Sequence, residues 1–376
     1  MTDRLQGRES IRLPAIDLVR GIVMVLMTLD HSSAAFNAGR LMADGAATFH
    51  PDAVFEPLQF VIRWVTHLCA PTFVMLSGAS LALSVTRRQQ DGVPSSQIDR
   101  DILIRGALLI AIDAVWMGWM WRLGLPLQLG VLYAIGVSMI GLIVLRRLPA
   151  ALVAGLGLAI MAGGEAVTGL LDPTTTLAAA TLAGGQVGSI YYLYPFLPWT
   201  GFMLVGWAIG MRIAGPGMRA RDWLTLAAVA AATFVIVRGG NGYGNAHVLR
   251  RDGSWNAAWN EAWNEAWIEW LHVSKYPPSL AYAALELGIA FALLAAVWRW
   301  ARPWKPLVVL GQTALFYYVI HAHLLKGTAA ALGVYRHFGV GATLLAWAVT
   351  LVALYPACRW YLGVKRRHPR SVLRFL

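Results

Sequence analysis

The stretch IDLVRGIVMVLMTLDHSS, residues 16–33, is apolar enough to enter a bilayer, yet it carries Asp17, Arg20, Asp30 and His31. Its reading decides the rest of the chain. Arg20 and His31 are eleven residues apart, about 1100° of helical rotation, so both side chains fall on one face about 16 Å apart along the axis. Met24 and Met27 lie on the stripe between them. A helix of this kind has two polar ends joined by an apolar face.

The chain around it has the same character. Of its 376 residues 58% are hydrophobic and 13% charged, and its mean hydropathy is +0.57, whereas soluble domains carry about 25% charge. Apolar windows of roughly 20 residues, the length that spans hydrocarbon as helix, recur at 15–37, 58–85, 101–121, 127–145, 149–168, 196–213, 222–238, 280–300, 305–325 and 341–363. The sequence therefore predicts an all-α, polytopic membrane bundle of about ten transmembrane helices in a single domain, 1–376.

A net charge of +12 raises nucleic acid as a partner, and the placement of the charges argues against it. If the N-terminus is cytoplasmic, 19 lysines and arginines fall in segments on that side and 8 on the other, which is the positive-inside asymmetry. Both termini are then expected in the cytoplasm. The first apolar segment is too long and too charged for a cleaved signal peptide. Cys69 and Cys358 both lie inside predicted spans and are expected to be packing residues, not a disulfide.

The longest connections, 38–57, 169–195 and 239–279, lie on the outer side. Within the last, SWNAAWNEAWNEAWIEW (254–270) repeats every four residues, so Trp255, Trp259, Trp263 and Trp267 share a drifting face opposite Glu261, Glu265 and Glu269. This predicts an amphipathic helix at 255–270 on the outer membrane surface, with anchoring in lipid or stacking on a sugar both open. GWAIG at 206–210 is a GxxxG along which two helices can approach closely.

Other polar groups share the depth of His31. RWVTHLCAPTFVMLSG (63–78) places Arg63 and His67 on one helical face, with His67 about 13 Å below the outer start of its helix. GQTALFYYVIHAHLL (311–325) brings Tyr317, His321 and His323 toward the outer side, and Trp199 and Lys275 stand at the same level. Each alone has an ordinary reading: Asp17–Arg20 as an ion pair, His31 and His67 as packed histidines, Trp199, Lys275, Tyr317 and Tyr318 as interfacial residues. Asp113, Glu165 and Glu286 are candidate partners for arginines such as Arg63. Ionisable groups in a bilayer are costly unless paired or hydrated, so their common depth points to a shared cavity.

The chemistry narrows by what is missing. There is no HExxH or Cys/His metal set, no GxSxG and no phosphate loop in the sequence. A histidine base with an arginine near the opposite face suits proton removal from a nucleophile and anchoring of an anionic donor.

The DLVRG pattern with His31 eleven residues after Arg20, followed by FVMLSG, resembles the transmembrane acyltransferase superfamily that includes the acyltransferase-3 group. More closely, IDLVRGIVMVLMTLDH, RWVTHLCAPTFVMLSG, YPFLPWTGFMLVGWAIG, KYPPSLAYAALELG and GQTALFYYVIHAHL together resemble the bacterial heparan-alpha-glucosaminide N-acetyltransferase-like membrane proteins, over residues 11–325. The resemblance implies a multi-pass protein of the bacterial inner membrane. It implies transfer of an acyl group, usually acetyl, from cytoplasmic acyl-CoA to an extracytoplasmic glycan or glycolipid, N- or O-linked. On it, Arg20, Asp17 and Arg63 are expected at the donor, His31, His67 and Asp30 at the chemistry, and Trp199, Lys275, Tyr317 and His321 at the acceptor. Direct transfer and a transient acyl-histidine both stay open, as does homo-oligomerisation. The sequence departs from the animal enzymes in three places: His50 is the lone histidine of the first outer loop, His67 stands where an acidic residue is found, and the tryptophan-rich stretch looks like an insertion. A transporter with charges at mid-depth, or a non-catalytic subunit of the same fold, are the alternatives.

Overall fold

The computed structural model describes residues 3–45, 48, 55–118, 120, 127–172, 174–246, 263–300, 302, 304–368 and 371. His50 and residues 255–262 of the tryptophan repeat lie outside them. The described chain is helical apart from three short strands. In chain order the helices are α1 (Asp3–Phe36), α2 (Pro57–His67), α3 (Cys69–Gln90), α4 (Ser95–Ala111), α5 (Val131–Leu145), α6 (Ala150–Thr168), α7 (Phe196–Ala214), α8 (Ala220–Gly240), α9 (Trp263–Leu271), α10 (Leu280–Trp300), α11 (Lys305–Gln312), α12 (Ala314–Ala331) and α13 (Val340–Arg367).

Among the described residues six helices are long and apolar enough to cross a membrane, counting α2 and α3 as one, and the pair α11–α12, bent by 86°, would be a seventh. The ten windows fall mainly on helices, although 127–145 begins with the strand Leu127–Leu129, and several are shorter or more polar than a span: α5 has 15 residues, α4 carries Asp99, Arg100, Asp101 and Arg105, and α1 holds the four ionisable groups. The protein is a multi-pass helical membrane protein.

Small residues set the centre of the bundle. A Cβ on Gly206 would lie 1.9 Å from the Met75 carbonyl oxygen, and one on Gly78 2.2 Å from that of Met203, so α3 and α7 pack backbone to backbone, as the GxxxG at 206–210 predicts. Gly311 and Gly21 do the same for α11 and α1, with a Gly311 Cβ falling 1.9 Å from the Asp17 oxygen. Around this centre α6, α8 and α13 present mostly exposed apolar surface.

α4 runs on as a π-helical turn, 112–117. Asp113 on that turn accepts the Gly130 and Tyr133 amides at 2.6 and 2.9 Å, capping α5 where N–H groups lack helical partners. It is a cap, not a partner of Arg63. Glu286 is buried, with no hydrogen-bond partner for either oxygen among the described residues. Strands β1 (Leu127–Leu129), β2 (Gly185–Val187) and β3 (Ile190–Tyr192) form a sheet of order β1-β3-β2, parallel between β1 and β3 (Leu127 opposite Ile190) and antiparallel between β2 and β3. Three residues each is too short for alternation to show in sequence.

The tryptophan repeat is helical over its described part, α9. Its end is held by a buried guanidinium: Arg238 donates to the carbonyls of Trp270 (2.9 Å), Glu269 (2.6 Å) and His272 (2.8 Å), and to Asn245 Oδ1 (3.0 Å). Trp267 meets Phe60 of α2 edge-on at 5.5 Å. α9 is thus docked on protein at its C-terminal end.

Candidate functional site

Helix α1 carries two polar clusters, and its interior is packed between them: Val23, Met24, Met27 and Thr28 are all buried. At one end Arg20 donates to Asp17 Oδ1 (3.3 Å), Ser80 Oγ (2.5 Å) and the Leu76 carbonyl (3.4 Å). Gln312, the last residue of α11, donates to Asp17 Oδ2 at 3.0 Å. Arg20, Ser80 and Gln312 line a cavity of about 150 Å³ together with Ser77, Arg105 and Lys365. A second cavity, of about 240 Å³, is lined by Arg88, Asp101 and again Arg105. Arg20, Arg105 and Lys365 line the first cavity, and Asp17, paired with Arg20, is the carboxylate beside them. The excess of positive charge suits a ligand with phosphates.

At the other end of α1 Asp30 and His31 point to different partners. Asp30 Oδ1 accepts from Arg63 (2.5 Å), Arg40 (2.8 Å) and Thr66 (3.1 Å). Arg63 reaches on to Asp44 Oδ2, which also meets His67 Nε2 at 3.2 Å. The Asp44 carbonyl accepts the Lys275 amide at 2.8 Å. One guanidinium therefore ties α1, α2 and the 37–45 loop together, and through Asp44 the 272–279 segment. Burial raises the Asp44 carboxyl, but Arg63 and the His67 hydrogen bond outweigh it and hold the group below the ordinary carboxylate range. Burial draws nearby His272 down to about 4.

His31, half-buried, lies with Nδ1 2.8 Å from His321 Nε2 on α12. His321 Nδ1 is 2.8 Å from the Tyr317 carbonyl oxygen, and the Tyr317 hydroxyl is 2.7 Å from Thr28 Oγ1. The bend at Thr313 lets one short stretch of chain serve both clusters, with Gln312 at Asp17 and His321 at His31.

The sequence-predicted residues thus separate into groups. Arg20 and Asp17 stand at the basic cavity. His31, His321 and Tyr317 meet at the far end of α1. His67, Asp30 and Arg63 are joined by Asp44 in a charge network beside that end, and Arg63 is not at the basic cavity. Lys275 is buried with its amine 5.3 Å from the Tyr276 ring centroid. Trp199 is buried against Tyr194 (4.7 Å) and Phe202 (5.4 Å), and Tyr194 in turn meets the Tyr276 ring edge-on at 5.5 Å. Arg105, Ser80, Gln312, Lys365, Asp44 and Arg40 were not singled out from sequence. The signal for Arg105 was an arginine inside an apolar window, the same signal that marked Arg20.

An ion-paired helix with a basic cavity at one end and paired histidines at the other defines a membrane protein that presents reactive groups at two depths. Residues 12–241 match the family described as heparan-alpha-glucosaminide N-acetyltransferase, catalytic, and the chain belongs to that family. The match makes it a relative of membrane acetyltransferases and includes Arg20, His31, Arg63 and His67. No curated protein matches the chain.

Proposed function

We propose that the protein moves an acetyl group, or another small acyl group, from acyl-CoA bound at the Arg20 end to a glycan or glycolipid hydroxyl or amine at the His31 end. The observation that carries this reading is the placement of the two clusters on α1, about 16 Å apart and joined by a face without charge. The basic cavity of Arg20, Arg105 and Lys365 holds the phosphates of the donor on the cytoplasmic side. Its thioester arm runs toward His31 past Met24 and Met27, whose packed face has to open to admit it, and the acyl carbon arrives near His31.

There the acceptor N–H or O–H gives its proton to His31, and the acceptor atom bonds to the acyl carbon. The carbon–sulfur bond breaks, and the proton passes to the departing thiolate, so that free CoA is released. Histidine suits this because its neutral ring carries a lone pair on one nitrogen and a proton on the other. Asp30, Arg63, Asp44 and His67 set the position of α1 and of Lys275 around the acceptor.

The test is acyl-CoA-dependent release of free CoA by purified protein in nanodiscs. Arg20→Ala removes a charge that binds donor in ground and transition states alike, and raises donor KM more than it lowers kcat. His31→Ala lowers kcat by roughly 10²–10⁴-fold with donor binding by calorimetry unchanged. Loss of donor binding in His31→Ala would mean that the imidazole holds donor or structure instead.

A further inference from the structure

A histidine is a base only through the nitrogen that lacks a proton, and which nitrogen that is depends on what the other one touches. In most catalytic histidines a carboxylate fixes the choice. Here Oδ1 of the adjacent carboxylate, Asp30, accepts from Arg63, Arg40 and Thr66. His31 Nδ1 faces another imidazole instead, His321 Nε2 at 2.8 Å.

The assignment follows from the far end of the chain of bonds. The Tyr317 carbonyl oxygen only accepts, so His321 Nδ1, 2.8 Å away, carries its ring proton. A neutral imidazole has one such proton, which leaves a lone pair on His321 Nε2. That lone pair requires a donor, so the His31 proton sits on Nδ1 and the His31 lone pair on Nε2. The ring geometry agrees: the two planes are within 9° with centroids 4.8 Å apart. With nitrogens 2.8 Å apart, rings so spaced cannot lie face to face and meet nitrogen to nitrogen.

We infer that His321 is the positioning residue for acyl transfer, holding His31 in the Nδ1–H tautomer through a backbone carbonyl in place of the usual carboxylate. The inference rests on the reading of His31 as base. The same bonds carry the charge once the reaction starts. When His31 Nε2 takes the acceptor proton, the Nδ1 proton can cross to His321 Nε2. His321 is then an imidazolium with its Nδ1–H still on the Tyr317 oxygen. Return of that proton to His31 Nδ1 frees the one on Nε2 for the leaving thiolate, and no proton is gained or lost over the cycle.

The test is nitrogen-15 histidine NMR on the full-length protein, with the His31 signals assigned by their loss in His31→Ala. Wild type should show a protonated Nδ1 and an unprotonated Nε2 on His31. His321→Phe, which offers no acceptor, should move the proton to Nε2 and lower kcat by about 10²–10⁴-fold, the range seen when a catalytic histidine loses its base function or its tautomer, with donor binding by calorimetry intact. His321→Gln can place its amide oxygen near the Nε2 position, and should restore the Nδ1–H signal and recover at least about tenfold of the rate. An Nε2–H signal for His31 in wild type would overturn the inference whatever the activity. So would a His321→Phe protein with wild-type kcat. If the tautomer is as assigned while His31→Ala still turns over, the base reading fails and the tautomer assignment survives.

Discussion

Gly311→Ala measures how closely the two halves of the donor end depend on each other. A methyl group there would sit 1.9 Å from the Asp17 carbonyl oxygen and 2.8 Å from its carbon, both backbone atoms that cannot rotate away. Close carbon–oxygen contacts settle at about 3.3 Å, so α11 and α1 must part by about 1.4 Å. The Gln312–Asp17 bond, now 3.0 Å, then passes out of reach, and Arg20 loses a correctly held carboxylate. Overpacking of this kind costs about 1–3 kcal/mol. Gly327 on α12 is the control, because a Cβ there meets nothing within 4 Å and alanine in a helix is better than glycine by about 0.5–1 kcal/mol. Gly311 is helical too, so that gain cancels and the two variants should differ by the overpacking cost, about 1–3 kcal/mol, in chemical unfolding. Donor affinity by calorimetry should fall several-fold in Gly311→Ala alone. If both variants unfold alike and bind donor alike, the backbones are not in contact and the argument is wrong.

Two further outcomes concern the charge network. Arg63→Leu leaves Asp44 with His67 alone, and should cost about 3–5 kcal/mol as a buried pair broken on one side; adding Asp44→Asn should recover part of that, and no recovery in chemical unfolding would place the loss elsewhere. Hydrogen-exchange protection of 40–45 and 272–279 should depend on pH in two stages. His272 has a folded value of about 4, below its ordinary value of about 6.5, so between those limits the unfolded state binds more protons and protection falls as pH drops. The Asp44 contribution, from a depressed carboxyl, is complete above about 3.9 and is lost only at lower pH. Flat protection from pH 7 to 4 would contradict the assignment for His272, and His272→Gln should flatten that stage.

Much of this site was legible on α1 because helical geometry is local. Eleven residues from Arg20 to His31 define one face whatever surrounds them, and the structure fills that face at both ends. GWAIG likewise announced the α3–α7 contact, since only small residues let backbones touch. What could not be read was partner choice. His31 and His321 are 290 residues apart, and three outer-layer histidines were equal candidates on depth alone. His67 sat at the right depth but on another neighbour, because Asp44, in a loop without periodicity, takes it. Arg105 and Lys365 reach the donor cavity from helices whose rotation about their own axes no single window fixes. The bend at Thr313 was hidden inside one continuous apolar window.

The length of α13 has a consequence for the basic cavity. Its 28 residues extend about 42 Å, against a hydrocarbon core of about 30 Å, whereas the 19 residues of α6 match that thickness. A mismatch of about 12 Å is absorbed by tilt or by protrusion, and the last turn of α13 is Lys365, Arg366 and Arg367. A basic turn at the end of a long span is expected at the level of the lipid headgroups. Arg366 and Arg367 are exposed, while Lys365 turns inward to line the cavity. With that turn at headgroup depth the cavity would open among lipid phosphates, and an anionic bilayer would compete there with any phosphorylated ligand for the same cations.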